Sequence, residues 1–172
     1  PVPREVAASR ECLPGPRRAL AALLALLVVL TVAFIWSNSL KNPEASMRQS
    51  ALAERVVRPV ILAIPVAQLH TPEMVSLLTR KLGHFAEFFL LGVLLMALSI
   101  VLRPALALPA WGLFLFAVAV AAADEGLQFF SDRAPSVYDV LLDGTGALAG
   151  LGTARLFERL CRSRRVAAGG RR

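Results

Sequence analysis

Between Ala19 and Trp36 the chain reads ALAALLALLVVLTVAFIW, eighteen residues without a charge. As a helix rising about 1.5 Å per residue, the run is about 27 Å long and, with its flanks, fills a hydrocarbon layer of about 30 Å. Such a run is a membrane span or the apolar part of a signal peptide. Signal-peptide cores run to about 15 residues and end in a small-x-small cleavage site. This run is longer, and Ser37-Asn38-Ser39-Leu40 offers no such site. The sequence therefore predicts a retained span over about 19–38. Composition agrees: the chain is 56% hydrophobic and 18% charged, whereas soluble domains carry roughly 45–50% and 25%.

Three further spans are expected, over about 82–102, 105–130 and 136–157, with Pro109 in the first turns of the third. Arg103-Pro104 separates the second from the third, because a residue before proline is pushed out of helical geometry. Lys41 to Arg80 forms a long connection. Its middle, about 56–69, is apolar but short and carries Arg58, Pro59 and Pro65, which suits an interfacial or re-entrant segment better than a crossing. The expected fold is all-α: a polytopic membrane helix bundle of about four transmembrane helices plus that segment. The transmembrane domain covers 19–157, between a tail over 1–18 and a basic tail over 158–172.

Net charge is +7, with basic residues concentrated at the two ends. Lysine and arginine beside spans hold orientation and meet anionic lipid, so this charge does not point to nucleic acid. The amino-terminal tail, the Arg103 turn and the carboxy-terminal tail, with Arg155 at the end of the last expected span, together hold twelve of the nineteen basic residues. These segments are expected inside, giving N-in, C-in topology. Cys12 and Cys161 then share the cytoplasmic side, where thiols stay reduced. No CxxC metal pattern is present.

A charged side chain at the centre of a membrane helix costs about 2.5–3.5 kcal/mol on insertion scales, so each one needs a reason. Here such residues gather near the same end of every expected span. Ser37, Asn38 and Ser39 end the first, and His84 and Glu87 fall in the first turns of the second. Asp124, Glu125 and Gln128 end the third, and Asp139 and Asp143 open the fourth. Residues three or four apart share a helix face. Arg80, His84, Glu87 and Leu91 form one stripe, Glu125 and Gln128 another, and Asp139, Asp143 and Gly146 a third. Gly146 and Gly150 form a GxxxG pattern that allows close helix approach or a homo-oligomer contact. The competing reading is that these groups are only caps and interfacial anchors. It accounts for Asp139 at a helix start, but not for Asp124 and Glu125 at a helix end, where the helix dipole disfavours anions.

Three blocks resemble the VanZ-like family. Lys81-Leu82-Gly83-His84-Phe85-Ala86-Glu87-Phe88-Phe89-Leu90-Leu91-Gly92 is similar to its K-x-x-H-F-x-E-[YF]-x-x-L-G stretch. Asp124 to Arg133 looks like its D-E-x-x-Q-x-F followed by arginine, and Asp139 to Gly146 is similar to its D-x-x-x-[ND]-x-x-G. Ile35-Trp36-Ser37-Asn38-Ser39 would be the polar end of the family's first span. The resemblance covers roughly Ala19 to Phe157. It departs at position 88, where phenylalanine replaces a frequent tyrosine, and in a loop before Arg133 that is one residue short. It implies a small polytopic bacterial membrane protein, in a family whose namesake confers low-level teicoplanin resistance and most of whose members have no assigned activity.

The residues support a binding or accessory role at the outer leaflet, for a lipid headgroup, a lipid-linked cell-wall precursor or a glycopeptide drug. Lys81, His84, Glu87, Asp124, Glu125, Gln128, Arg133, Asp139 and Asp143 are the polar-site candidates. Arg80, Lys81 and Arg133 suit phosphate or carboxylate. The alternative is an intramembrane hydrolase or transferase, acid/base or metal-dependent, acting on a lipid-linked substrate. His84 and Glu87 are weak metal candidates, since a lone HxxE is common, and no HExxH or GxSxG motif is present. The sequence favours a non-enzyme that needs no cofactor and has membrane lipids as partners. Ion transport fits less well, since four spans without an internal repeat make a poor transporter.

Overall fold

The computed structural model describes residues 14–40, 43–103, 106, 108–128, 130 and 136–169. Residues 1–13 of the expected 1–18 tail with Cys12, Pro104 in the expected break, Arg133 and the last three residues lie outside this description. The described residues form five helices and no strand: α1 (Gly15–Ser39), α2 (Pro43–Leu62), α3 (Pro72–Leu102), α4 (Ala110–Gln128) and α5 (Val137–Gly169), with a short 3-10 turn at Ala67–His70.

Three of these, α1, α3 and α4, are long and apolar enough to cross a membrane. The expected fourth span corresponds to α5, which is not among these three and carries Asp139, Asp143, Arg155 and Glu158. Several boundaries differ from expectation. α3 begins ten residues before Leu82 because Thr71-Pro72-Glu73 is a complete start signal. The Thr71 hydroxyl accepts from the Met74 amide at 3.4 Å, proline occupies the first turn, and Glu73 meets the positive end of the dipole. His84 and Glu87 therefore sit about three turns inside a helix, not in its first turns. Pro109 precedes α4, its carbonyl accepting from the Gly112 and Leu113 amides. The 56–69 segment is not one element but the end of α2, a bend and the 3-10 turn. Residues 158–169, expected as a tail, continue α5.

The packing is inverted relative to a soluble protein. Leu23, Leu26, Val29, Leu30 and Phe34 of α1, Trp111 and Leu115 of α4, and Leu148 and Leu156 of α5 face outward, while Asp124 and Asp143 are fully buried. Lipid as the surrounding solvent accounts for both halves of this pattern. The core joins Ile35 of α1, Phe88, Leu91 and Leu95 of α3, Ala117 and Ala121 of α4, and Ala147 and Leu151 of α5.

The most extensive helix interface is between α3 and α5, and glycine permits it. A Cβ on Gly146 would stand 2.6 Å from the Phe85 carbonyl oxygen. One on Gly150 would overlap the Phe89 carbonyl oxygen and lie 2.9 Å from the Val93 amide nitrogen. On the facing helix, a Cβ on Gly92 would overlap the Ala147 carbonyl oxygen. At the far end of the pair, Arg103 donates to both oxygens of Glu158, at 2.7 and 3.4 Å. Arg155 and Arg162 close on the same carboxylate at 3.5 and 3.0 Å.

Gly150→Ala is expected to destabilise the detergent-solubilised chain by about 1–3 kcal/mol, because backbone rather than a flexible side chain blocks the added methyl. Gly83 has open space around its Cβ position, so Gly83→Ala should be neutral or stabilise by about 0.5–1 kcal/mol through helix propensity. Thermal unfolding of the two variants beside the parent chain checks the contrast.

Candidate functional site

Four helices bring polar residues to one end of the bundle: α1 by its last turn, α4 by its last turn, α5 by its first turns and α3 by its middle. Helical spacing sets which side chains meet. Asp124 and Gln128 are four apart on α4, as are Asp139 and Asp143 on α5, so each pair projects toward the same neighbours.

Ser39 of α1 donates to Asp124 Oδ1 at 2.6 Å, and both residues are buried. Gln128 Nε2 donates to Glu125 Oε1 at 3.0 Å and approaches Asp124 Oδ2 at 3.4 Å. Glu125 Oε2 accepts from the Ser136 amide at 2.7 Å, which ties the end of α4 to the start of α5. Asn38 Nδ2 donates to Glu87 Oε1 at 2.9 Å across the α1–α3 interface. Lys81 pairs with Asp139, both about one-third exposed. His84 Nδ1 lies 4.0 Å from Asp124 Oδ2 and 3.8 Å from Asp143 Oδ2. Trp36 Nε1 reaches the Val120 carbonyl at 3.4 Å and helps set α1 against α4 beneath these groups.

A cleft of about 220 Å³ opens over them, lined by Arg80, Lys81, His84, Gln128, Asp139, Leu142 and Asp143. Its chemistry is graded. Two basic side chains and Asp139 stand at the exposed rim, with His84 below them and the buried Asp143 beneath. Hydroxyl and ammonium donors suit the carboxylates, and phosphate or carboxylate suits the rim cations.

Of the nine polar-site candidates, eight are described and converge at this end; Arg133 lies outside the described residues. Within that group the pairings differ from the expected stripe. Glu87, one turn from His84, turns to Asn38, and the acids flanking His84 come from α4 and α5. His84, Asp124 and Asp143 offer ligand atoms that all lie within 4.8 Å of one another. Glu87 is not part of that trio. Leu142 and the Ser136 amide contribute contacts that spacing did not single out; their only signal was proximity to Asp139 and Asp143. Gly146 and Gly150 sit against α3, so the face that could have served a second copy is used within the chain.

A family model described as VanZ/LLP1 matches residues 21–158, a range that includes every polar-site candidate. No curated protein and no solved structure matches the chain.

Ser39→Ala is expected to cost about 1–3 kcal/mol of stability, since a buried carboxylate loses a short hydroxyl donor. The Ser37 hydroxyl only returns to its own helix, at the Phe34 carbonyl, from an exposed position. Ser37→Ala should therefore stay within about 0.5 kcal/mol of the parent chain. Parallel thermal melts in one detergent separate the two.

Proposed function

The chain belongs to the VanZ/LLP1 family, and we propose that it is a multi-pass membrane protein that binds the polar head of an amphiphile at the outer leaflet. The head is that of a lipid, a lipid-linked cell-wall precursor or a lipophilic glycopeptide. The observation that carries this reading is the cleft itself, with Arg80 and Lys81 at its rim and buried carboxylates below. Rim cations take a phosphate or carboxylate, and the acids take hydroxyl or ammonium donors from the rest of the head. The apolar tail of such a ligand would stay in the lipid that the outward leucines already contact. This division of labour needs no reaction, so the reading is of a binding protein and not an enzyme.

In this reading α5 is the fourth crossing helix. Its packing along α3 and its outward Leu141, Leu148 and Leu156 support that role. The segment around 56–69 lies at the interface. Charge supports the orientation: Arg17, Arg18, Arg103, Arg155, Arg159 and Arg162 fall at the ends of α1, α3 and α5 away from the carboxylate cluster, which favours that face as cytoplasmic. The polar cleft then faces outward in a bacterial inner membrane. Drug resistance would follow from altered presentation of precursor or drug at that surface.

Two measurements test this. In a teicoplanin-susceptible host, wild-type chain should raise the inhibitory concentration, and Lys81→Ala or His84→Ala should abolish the gain at equal membrane abundance. Full effect in both variants would remove the cleft from the function. For orientation, a Cys12→Ser chain carrying Ser37→Cys is treated with an impermeant maleimide on intact spheroplasts. Label is expected at position 37 and not at Cys161.

A further inference from the structure

We propose that His84, Asp124 and Asp143 form a binding site for one divalent transition-metal cation of the Zn²⁺ or Mn²⁺ type. The proposal begins with Asp143. It is fully buried, both its carboxylate oxygens are closed off, and among the described residues neither makes a hydrogen bond. Buried carboxylates are strongly disfavoured without hydrogen bonds or a counter-charge. The His84 ring stands beside it, its Nδ1 3.8 Å away, too far for a hydrogen bond. Lys81 on the same wall of the cleft is engaged by Asp139.

The second observation is convergence. Asp143, Asp124 and His84 come from three different helices, yet their ligand atoms all lie within 4.8 Å of one another. Asp124 has committed Oδ1 to the Ser39 hydroxyl at 2.6 Å, and its Oδ2 is the oxygen that stands 4.0 Å from His84 Nδ1. The Ser39 hydroxyl thus fixes the carboxylate as an outer-shell partner does for a metal ligand, and the second oxygen, which also receives Gln128 Nε2 at 3.4 Å, lies on the side of the trio. Metal–ligand distances of about 2.0–2.2 Å place ligand atoms about 3.4 Å apart, so the present separations would close by up to about 1.4 Å, within the reach of rotamer adjustment. His84 and Asp143 also line the cleft, so a fourth position would open toward whatever occupies it.

The donor set selects the class of ion. One imidazole nitrogen and two carboxylate oxygens suit zinc, manganese or iron. Calcium prefers six to eight oxygens, and magnesium prefers oxygen and retained waters. A cation here would offset the two buried negative charges and present a positive centre below the basic rim. The inference goes beyond the headgroup reading and does not depend on it.

The test uses the full chain, purified in detergent, stripped with chelator and dialysed separately against Zn²⁺ and Mn²⁺. Metal content is then measured by mass spectrometry. About one ion per chain is expected, and Asp143→Asn and His84→Gln should each weaken retention at least about tenfold. Asp139→Asn should retain the ion, because its carboxylate serves Lys81. Co²⁺ in place of zinc should show the visible bands of a four- or five-coordinate ion in wild type, and these should be lost in Asp143→Asn. That variant is nearly isosteric, and its elution and melting profile without metal establish that it is folded. If wild type takes up no ion and Asp143→Asn raises the melting temperature, the carboxyl is held by a proton and the proposal is wrong. Wild-type retention by both ligand variants would also overturn it. Metal content is read without lipid or drug, so a failed resistance assay beside normal loading would count against the headgroup reading alone.

Discussion

The absence of a side chain at Gly146, Gly150 and Gly92 sets the spacing between α3 and α5, and the polar end inherits its geometry from that spacing. The contacts run as a ladder. Gly150 meets Phe89 and Val93, Gly146 meets Phe85, and Gly92 meets Ala147 and Leu151. One step up the same ladder, Asp143 meets His84. Asp143 lies three residues before Gly146 and His84 one before Phe85, so the register that seats the glycines also sets the carboxylate opposite the imidazole. In lipid, where apolar surface drives no association between helices, such close backbone approach is a principal source of helix affinity. Packing and site are therefore one arrangement: whatever widens the α3–α5 gap also pulls His84 away from Asp143.

The second constraint is the supply of donors. Five carboxylates gather at this end, and three of them, Asp124, Glu125 and Asp143, are buried. The chain meets their needs with small local donors. A hydroxyl serves Asp124, the Gln128 amide and the Ser136 backbone serve Glu125, and the Asn38 amide serves Glu87. These donors are neutral, and satisfy oxygens without themselves neutralising charge. The far end has the opposite composition. There one carboxylate, Glu158, is held by three arginines. The two ends of the bundle thus differ in sign as well as in depth.

Much of this was legible in the sequence. The uncharged run from Ala19 announced α1, and the three- and four-residue spacing of acids announced that α4 and α5 would each present a polar face at the same end. Helix limits were less legible. The Thr71-Pro72-Glu73 start is in plain view, but the long apolar run begins only near Leu82, and it is capping rather than apolarity that decides where α3 begins. Partner choice was not legible at all. Spacing says that His84 and Glu87 share a side of α3. It does not say how far that helix is rotated, and a rotation of one residue, about 100°, decides whether His84 faces Asp143 or Asn38.

In the proposed four-span arrangement, α5 shows why composition would undercount crossings in a bundle of this kind. A helix that inserts alone must be apolar on every side, and α1 is close to that description. A helix that packs on another along its length can give one face to glycine and alanine, which score poorly as lipid-soluble. It can also give one end to carboxylates that reach partners. α5 has that composition, with Gly146, Ala147 and Gly150 turned inward and Leu141, Leu148 and Leu156 turned out. Its polar load of about 2.5–3.5 kcal/mol per central charge on insertion scales is severe for an isolated segment. It falls when Asp139 meets Lys81 and Asp143 meets His84 on a neighbour already in place. In the proposed four-span arrangement, α5 therefore depends on α3 for both packing and charge, and would gain its membrane stability only after α3 is there to receive it.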